Sequence, residues 1–272
     1  MEIPHINKTY TTDEAVEALH RQFSTAVPCR HIVLDDFLDQ EIADQLYENF
    51  PSIDSLNVKR KSLNEDKAED YHFERWHPSF SEVRSSVNSE DFYQWIRKVT
   101  GIEGLVTTRD SLGSGVHQGG DGSYVDVHID VNMNPEAGLW RRVNLLIYLN
   151  KNWKDEYGGH LELWDKEMKN MHQRIAPNHN RAVIFYTDEN SPHGYSKINV
   201  PEGETRKSFY TYFYTEIGEG FRYSDSRFRS RPDESFGKRM VTETKEALKI
   251  NAKRILKTLG VKSLDFQDKN KK

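Results

Sequence analysis

Residues 124–134 read YVDVHIDVNMN, and apolar and polar side chains alternate through the whole stretch. A period of two is typical of a β-strand, in which successive side chains point to opposite faces. His128 and Asp130 belong to the polar set. That polar face either lies in water or lines a cavity that holds a metal ion, and later segments of the chain decide between these two structures.

His128 and Asp130 project from one face of the predicted strand because they are two residues apart. An imidazole and a carboxylate placed in this way can occupy two neighbouring positions on one metal ion. One further histidine would complete a 2-His-1-carboxylate triad, the ligand set of non-haem Fe(II) oxygenases. The H-x-D spacing alone is more often a solvated polar face, so the interpretation depends on a third ligand.

Four later histidines are candidates for that third ligand: His160, His172, His179 and His193. His193 directly follows the apolar strand RAVIFYT (181–187) and lies between a proline and a glycine, so a turn can aim its side chain inward. His160 lies inside GGHLELWD, and the other two lie in polar, loop-like sequence. The pattern therefore favours His193.

Arg206 and Ser208 open the aromatic strand RKSFYTYFYTE (206–216) and share one of its faces. A guanidinium fork beside a hydroxyl group is a receptor for a carboxylate, because the hydrogen bonds are charge-assisted and bidentate. Aromatic neighbours would keep such a site partly dry and strengthen the ion pair. The alternative is a surface Arg-Lys pair at the start of an edge strand.

The other patterns predict a mainly β core with flanking helices. Short strands between Gly, Pro, Asn and Asp clusters fill residues 103–224, as in an all-β sandwich or barrel. Helices with N-caps at Thr12 and Ser89 are predicted before it, the second ending at Gly101. Polar residues 52–88 are predicted to form a mobile loop near a substrate entrance. A last helix is predicted to end at Gly260.

We predict one domain over residues 1–272, with a helical N-terminal buttress (1–102), the β core (103–224) and a C-terminal helical extension (225–272). The net charge is −5 with no basic block, so nucleic acid is not a predicted partner. The chain has one cysteine, no secretory leader pattern and no apolar run near the ~20 residues that span a bilayer. We therefore expect a cytoplasmic protein with no membrane partner, and a homo-oligomer remains open.

In their order along the chain, these segments resemble the iron(II)- and 2-oxoglutarate-dependent oxygenases, in the branch similar to prolyl 4-hydroxylases. The resemblance covers about residues 105–216 and rests on VHID, RRVNLLIYLN, WKDEYGGHLELWD, NRAVIFYTDENSPHG and PEGETRKSFYTYFYT. It implies a double-stranded β-helix, or jelly roll, with Fe(II) near one mouth of the barrel.

The resemblance also assigns residues to roles. It makes three residues the catalytic iron ligands: His128, Asp130 and His193. It makes Arg206, assisted by Ser208, the partner of the distal carboxylate of 2-oxoglutarate. Many prolyl hydroxylases have a lysine in this role, but Lys207 is expected to point to the opposite face.

Further residues are candidates for completing the site. Asn144 and Tyr148 share a face of the strand RRVNLLIYLN and, with Tyr124, are candidates for the cosubstrate pocket. An ordinary buried structural role is an equal alternative for them. Trp140 and Arg142 are candidates for binding an anionic substrate, and the alternative is a strand end at the surface.

The implied activity is hydroxylation of an unactivated C–H bond with O2, coupled to decarboxylation of 2-oxoglutarate to succinate and CO2. Ascorbate is a candidate reductant. The carboxylate of Asp130 favours hydroxylation over halogenation, because related halogenases leave that position free for chloride, whereas desaturation stays open.

The substrate is either a small amino-acid-like molecule or a peptidyl or protein residue. The lack of a recognisable peptide-binding addition favours the small molecule. The alternative from another class is a non-catalytic jelly-roll protein that binds a metal or ligand. Structural zinc sites usually have four protein ligands, whereas three are evident here.

Overall fold

The computed structural model describes residues 2–110 and 112–258. Its α-helices are α1 (Asp13–Thr25), α2 (Gln40–Glu48), α3 (Pro78–Val87), α4 (Glu90–Thr100) and α5 (Phe236–Thr258). Its strands are β1 (His31–Leu34), β2 (Val58–Lys61), β3 (Glu65–Asp70), β4 (Ser114–Gly119), β5 (Tyr124–Ile129), β6 (Met133–Asn134), β7 (Leu139–Tyr148), β8 (Leu161–Trp164), β9 (Met171–Ile175), β10 (Arg181–Tyr186), β11 (His193–Tyr195), β12 (Arg206–Glu216) and β13 (Arg227–Arg229). Short 3-10 helices lie at Lys8–Tyr10, Ile53–Ser55, Phe73–Arg75 and Asp155–Tyr157.

The strands form one curled antiparallel sheet in the order β1-β10-β7-β12-β4-β3-β5-β11-β8-β9. Strand β3 joins the two halves of the sheet, because Ala68–Asp70 pair with β4 while Glu65 and Asp66 pair with β5. On the edge of β5 opposite β11, β13 continues alongside β5. This architecture confirms the predicted mainly β jelly-roll core with flanking helices.

The two faces of the sheet have different partners, as β7 illustrates. Val143, Leu145 and Ile147 belong to the large apolar core that also contains the buried faces of α1–α4. Leu146 and Tyr148 belong to a second cluster inside the curl of the sheet. Helices therefore cover the outer face, and the polar residues of the inner face are left to build a site.

The helix boundaries follow the predicted caps. The Thr12 side chain accepts a hydrogen bond from the Ala15 amide, and the Ser89 side chain accepts one from the Phe92 amide, each at 3.2 Å. Helix α4 ends at Gly101, which has a φ of +68°. Glycine adopts this left-handed conformation without the steric penalty of a side chain, so the predicted end of the helix is confirmed.

The prediction of a mobile loop over residues 52–88 is wrong, because this segment contributes β2, β3 and α3. Strand β3 reads EDKAED and lacks an apolar face, since its ion pairs replace apolar contacts: Lys67 Nζ lies 2.7 Å from a carboxylate oxygen of Glu69. Helix α3 begins with His77 as its N-cap and Pro78 in its first turn, a favourable position for proline.

The terminal segments follow their predictions in part. The N-terminal residues 1–102 contain four flanking helices, of which α3 was not predicted, and β1 and β3 from this segment pair with strands of the core. Helix α5 is present, and its predicted end at Gly260 lies outside the described residues. None of the helices described is long and apolar enough to cross a membrane. The division of the chain at residues 102 and 224 stays a prediction.

Candidate metal centre and carboxylate pocket

Two neighbouring strands bring the predicted metal ligands together. His128 on β5 lies directly opposite His193, the first residue of β11, and Asp130 follows β5 immediately. One ligand atom from each of the three residues lies within 4.8 Å of the other two. The Nε2 atoms of His128 and His193 lie 3.4 and 3.9 Å from the two carboxylate oxygens of Asp130. This spacing suits three ligands on one face of a single metal ion.

Backbone carbonyl groups fix the orientation of both imidazoles. Nδ1 of His128 donates to the carbonyl oxygen of Asp126, and Nδ1 of His193 donates to that of Ser191, each at 3.0 Å. A protonated Nδ1 leaves the lone pair on Nε2, the atom that faces Asp130. Such hydrogen bonds to the second ring nitrogen are the usual way in which proteins orient metal-binding histidines.

The electrostatics of the group also suit a metal ion. Burial, with the nearby His128, lowers the pKa of His193 to about 4, so its imidazole is neutral near pH 7. Burial alone would raise the pKa of the Asp130 carboxyl, but the neighbouring His128 and the positive charge of Arg141 hold it well below its ordinary value. A neutral imidazole and an ionised carboxylate are the forms that bind metal.

Arg141 also belongs to this centre, a position beside Asp130 that the sequence patterns did not predict. Its Nη1 atom lies 3.5 Å from Oδ2 of Asp130, and its guanidinium lies 3.8 Å from the centre of the Tyr212 ring. A β-bulge explains the inward direction: Phe213 of β12 opposes Val143 and the next residue, Tyr214, opposes Arg141. Strand β7 therefore carries one extra residue, Arg142, and the alternation shifts at that point.

The predicted substrate residues Trp140 and Arg142 lie on the other side of the bulge. Nη2 of Arg142 donates to the Tyr186 hydroxyl at 2.9 Å, and Tyr186 packs against the helix-covered core. The Arg142 guanidinium also stacks 4.2 Å from the centre of the Trp140 ring. Both side chains are half-buried on the outer side of the sheet, and the prediction that they bind substrate stays a prediction.

Arg206 is buried on the inner face, with 5% of its surface exposed. Its Nε donates to the Gly159 carbonyl at 2.6 Å, and its Nη2 donates to the Tyr148 hydroxyl at 3.2 Å. Its guanidinium stacks 4.3 Å from the centre of the Tyr195 ring. The backbone contact and the two rings hold the guanidinium in place, and no carboxylate of the described residues forms an ion pair with it.

Ser208 and Tyr148 lie beside Arg206 in the same pocket. Ser208 opposes Tyr148 across the β12–β7 pair, so the two side chains share the inner face. Burial raises the pKa of the Tyr148 phenol even though the Arg206 charge acts in the opposite direction, so the hydroxyl remains a hydrogen-bond donor. Arg206, Ser208 and Tyr148 together place one cation and two hydroxyl groups in a buried pocket, a set of groups that suits a carboxylate.

The other two cosubstrate candidates, Asn144 and Tyr124, lie in different surroundings. Asn144 is buried on the inner face, opposite Phe185 and Tyr212, and the Phe185 ring packs 4.8 Å from that of His193. Tyr124 donates its hydroxyl to the carbonyl of Leu63 at 2.9 Å, in the turn between β2 and β3. Asn144 thus lies at the metal end of the pocket, whereas the Tyr124 hydroxyl is committed to the backbone of another segment.

Three buried polar atoms test whether a ligand fits here. Oδ2 of Asp130, Oγ of Ser208 and Oδ1 of Asn144 have no hydrogen-bond partner among the residues that the structure describes. Buried polar atoms are normally paired because an unpaired one costs free energy. Asp130 belongs to the triad, Asn144 opposes Phe185 beside His193, and Ser208 opposes Tyr148 beside Arg206. Unpaired polar atoms at both the triad and Arg206 fit a metal ion with a doubly charged organic ligand, as the resemblance implied.

A charged row across the inner face was also missed by the sequence patterns. Glu69, His117, Ser208 and Tyr148 are cross-strand partners on β3, β4, β12 and β7. The Glu69 carboxylate contacts Lys67 at 2.7 Å, and the His117 ring stacks 4.3 Å from that of Tyr210. Opposite charges at 65, 67 and 69 in the segment EDKAED were the available signal, since such residues share one face of a strand.

The three rejected histidines have other surroundings. His160 is buried with its Nε2 atom 2.9 Å from Asp155, and His179 lies 3.2 Å from Asp44. His172 is exposed on β9. The described residues that cluster with metal-binding spacing are His128, Asp130 and His193.

Residues 114–214 match the family model described as 2OG-Fe(II) oxygenase superfamily. Among curated proteins, the chain is 27% identical over 192 residues to prolyl 3-hydroxylase OGFOD1 of Mus musculus. That match covers 69% of this chain but 33% of the relative, so the chain spans about one third of the relative's length.

Two solved structures show the same fold. A Pseudomonas putida prolyl-4-hydroxylase superposes with a TM-score of 0.55 at 15% identity, covering 75% of this chain and all of that one. A prolyl hydroxylase from Trichoplax adhaerens, in complex with a hypoxia inducible factor oxygen degradation domain peptide fragment, superposes with a TM-score of 0.52 at 21% identity, covering 77% of this chain and 92% of that one.

Proposed function

We propose that this chain is a 2OG-Fe(II) oxygenase that hydroxylates a prolyl residue of a peptide or protein with Fe(II), 2-oxoglutarate and O2. The observation that carries the proposal is the pairing of two groups in one pocket. A His-Asp-His triad with metal-binding spacing lies on the same inner face as a buried arginine suited to a carboxylate. A structural metal site would need the first group but not the second.

We assign the roles of the chain's residues as follows. The metal ligands are His128, Asp130 and His193, and three ligands leave open positions on an octahedral ion. Arg206, Ser208 and Tyr148 bind the distal carboxylate of 2-oxoglutarate and orient its other end towards the metal. The positive charge of Arg141 keeps Asp130 ionised. The rings of Phe185 and Tyr212 exclude water from the inner face.

Bound Fe(II) would supply the oxidising chemistry, in which one atom of O2 enters the substrate C–H bond and the other enters succinate as CO2 leaves. The protein would contribute binding and orientation of the cosubstrate and substrate, and it would limit side reactions.

The assignment of a prolyl substrate rests on the relatives. OGFOD1 of Mus musculus is named a prolyl 3-hydroxylase, and the Trichoplax adhaerens protein is a prolyl hydroxylase whose structure contains a peptide. A peptidyl residue is therefore a better first hypothesis than the small amino-acid-like molecule that the sequence patterns favoured. We do not assign the ring position of hydroxylation or a requirement for ascorbate.

The test is formation of succinate from 2-oxoglutarate by the purified chain with Fe(II) and O2. Proline-containing peptides and free amino acids are compared as substrates, and mass spectrometry detects the gain of one oxygen atom. His193→Ala is the control that measures any succinate formed by iron bound elsewhere or free in solution. We expect peptide-dependent succinate that His193→Ala lacks. Stimulation by free amino acids alone would refute the peptidyl assignment, and succinate no greater than in the variant would refute the activity.

A further inference from the structure

The C-terminal part of the described chain packs directly on the metal centre. Strand β13 pairs with β5 so that Phe228 opposes His128, on the edge of β5 away from β11. The two rings stack at 5.1 Å with an angle of 23° between their planes. The His193 ring approaches His128 from the other neighbouring strand at 4.4 Å. The imidazole of His128 is thus supported by a ring from each flanking strand.

A buried arginine fastens this segment to the strands of the site. Arg231 is 7% exposed, and its guanidinium donates to Glu162 Oε2 at 3.0 Å and to Asp126 Oδ1 at 3.2 Å. It also donates to the carbonyl of Val125 at 3.1 Å. Glu162 lies on β8, next to β11, and Asp126 lies on β5. One side chain therefore ties together the two strands on either side of β11.

Helix α5 adds further contacts to Asp126. Lys238 Nζ lies 3.1 Å from Oδ2 of Asp126, and the amide of Asn64 donates to the same oxygen at 3.0 Å. The hydroxyl of Thr242, fully buried on α5, accepts from Asn64 at 3.0 Å. Asp126 is held from three directions, and its carbonyl oxygen is the one that accepts the Nδ1 hydrogen of His128.

We propose that residues 228–242 form a C-terminal strap that positions His128 for metal binding, with Phe228 supporting its ring and Arg231 anchoring the segment. The strap lies beyond residues 114–214, the part of the chain that the family model matches. This inference rests on the proposed function, since it takes His128 as a metal ligand. Phe228 and Arg231 are positioning residues, because they act on the metal through His128 and Asp126.

The experiment measures the Kd for Mn(II) in the presence of 2-oxoglutarate, with free Mn(II) followed by its paramagnetic resonance signal. This readout does not depend on turnover. The variants are Phe228→Ala, Phe228→Tyr and Arg231→Gln. Arg227→Gln is the matched control, since Arg227 is exposed on the same strand. His128→Ala reports loss of the metal site itself. Thermal unfolding of each metal-free variant checks its fold.

We expect Phe228→Ala to raise the Kd about two- to tenfold, the range for loss of one aromatic pair, and Phe228→Tyr to restore it. Arg231→Gln is expected to raise the Kd about 10- to 100-fold, as for other partners of metal ligands. Arg227→Gln is expected to match the unaltered chain. An unchanged Kd in Phe228→Ala and Arg231→Gln, with binding lost in His128→Ala, would overturn the strap and leave the proposed function standing. Failure of the unaltered chain to bind Mn(II) would overturn both.

Discussion

Replacement of Arg206 by methionine is the sharpest test of the carboxylate pocket. Methionine keeps much of the side-chain length and removes the charge and the donors. In the folded protein Arg206 is 5% exposed, and its guanidinium lies against the Tyr195 and Tyr148 rings at 4.3 and 4.8 Å. Water therefore cannot replace the guanidinium as the partner of a bound carboxylate.

The expected magnitude follows from that burial. Truncation of one partner of a buried, hydrogen-bonded charge pair costs about 2–5 kcal/mol, which raises a Kd about 30- to 4000-fold. Arg206→Lys keeps the charge but loses the planar fork and the bond to the Gly159 carbonyl. Loss of one charge-assisted hydrogen bond costs about 1.5–3 kcal/mol, so we expect a rise of about 10- to 100-fold for lysine.

The assay is an anaerobic titration of the Fe(II)-loaded protein with 2-oxoglutarate, followed by the weak visible charge-transfer band of the chelated complex. Arg174→Met is the matched control, because Arg174 is a half-exposed arginine on β9 whose partner is Asp155. Metal affinity without 2-oxoglutarate should be the same in all three variants. This separates loss of the pocket from loss of the metal centre.

Two results would refute the reasoning. If Arg206→Met binds 2-oxoglutarate with the Kd of the unaltered chain, Arg206 does not contact the carboxylate. If Arg206→Lys and Arg206→Met are weakened equally while Arg174→Met is unchanged, the fork geometry matters and the charge contributes nothing, contrary to the ion-pair argument.

Three further predictions follow from the same geometry. Ser208→Ala should raise the Kd for 2-oxoglutarate about 10- to 100-fold through loss of one hydrogen bond to a charged group, and an unchanged titration would remove Ser208 from the pocket. Arg142→Ala should leave binding of metal and 2-oxoglutarate unchanged in the same titrations, because the bulge directs Arg142 to Tyr186; a large loss would show that it reaches the inner face. Burial raises the pKa of the Cys29 thiol from 9.0 to about 12, so iodoacetamide should modify it at pH 8 in urea but not in the folded protein, as measured by mass spectrometry. Since the unfolded thiol ionises first, the free energy of unfolding should fall above about pH 9.

The triad could be predicted from the sequence because the alternation of side chains along a strand is a local property. A period of two places His128 and Asp130 on one face without any knowledge of the fold. The position of His193 after an apolar strand then made it the best third ligand, and the structure pairs it directly with His128. Arg206 and Ser208 were found by the same rule. The catalytic and binding roles of these residues stay predictions that the experiments above test.

The inward positions of Arg141 and Lys67 could not be predicted in this way. A bulge is set by the register of two strands far apart in the chain, so the alternation of RRVNLLIYLN alone could not show which arginine turns inward. Strand β3 is polar on its inner face because its charges pair across β3 and β4. Hydrophobic periodicity detects apolar faces, and a strand without one was therefore predicted to be part of a loop.

The order of strands in the sheet also constrains how the protein folds during synthesis. Strand β1 leaves the ribosome early, but its partner β10 begins about 150 residues later, at Arg181. Strand β3 also precedes its partners β4 and β5 in the chain, so it can join the two halves of the sheet only after both have been synthesised. Such non-local pairing is slow to form and leaves strand edges exposed in the meantime. The edge of β1 therefore stays unpaired in the nascent chain until β10 has emerged, and the edges of β3 stay unpaired until β4 and β5 have emerged.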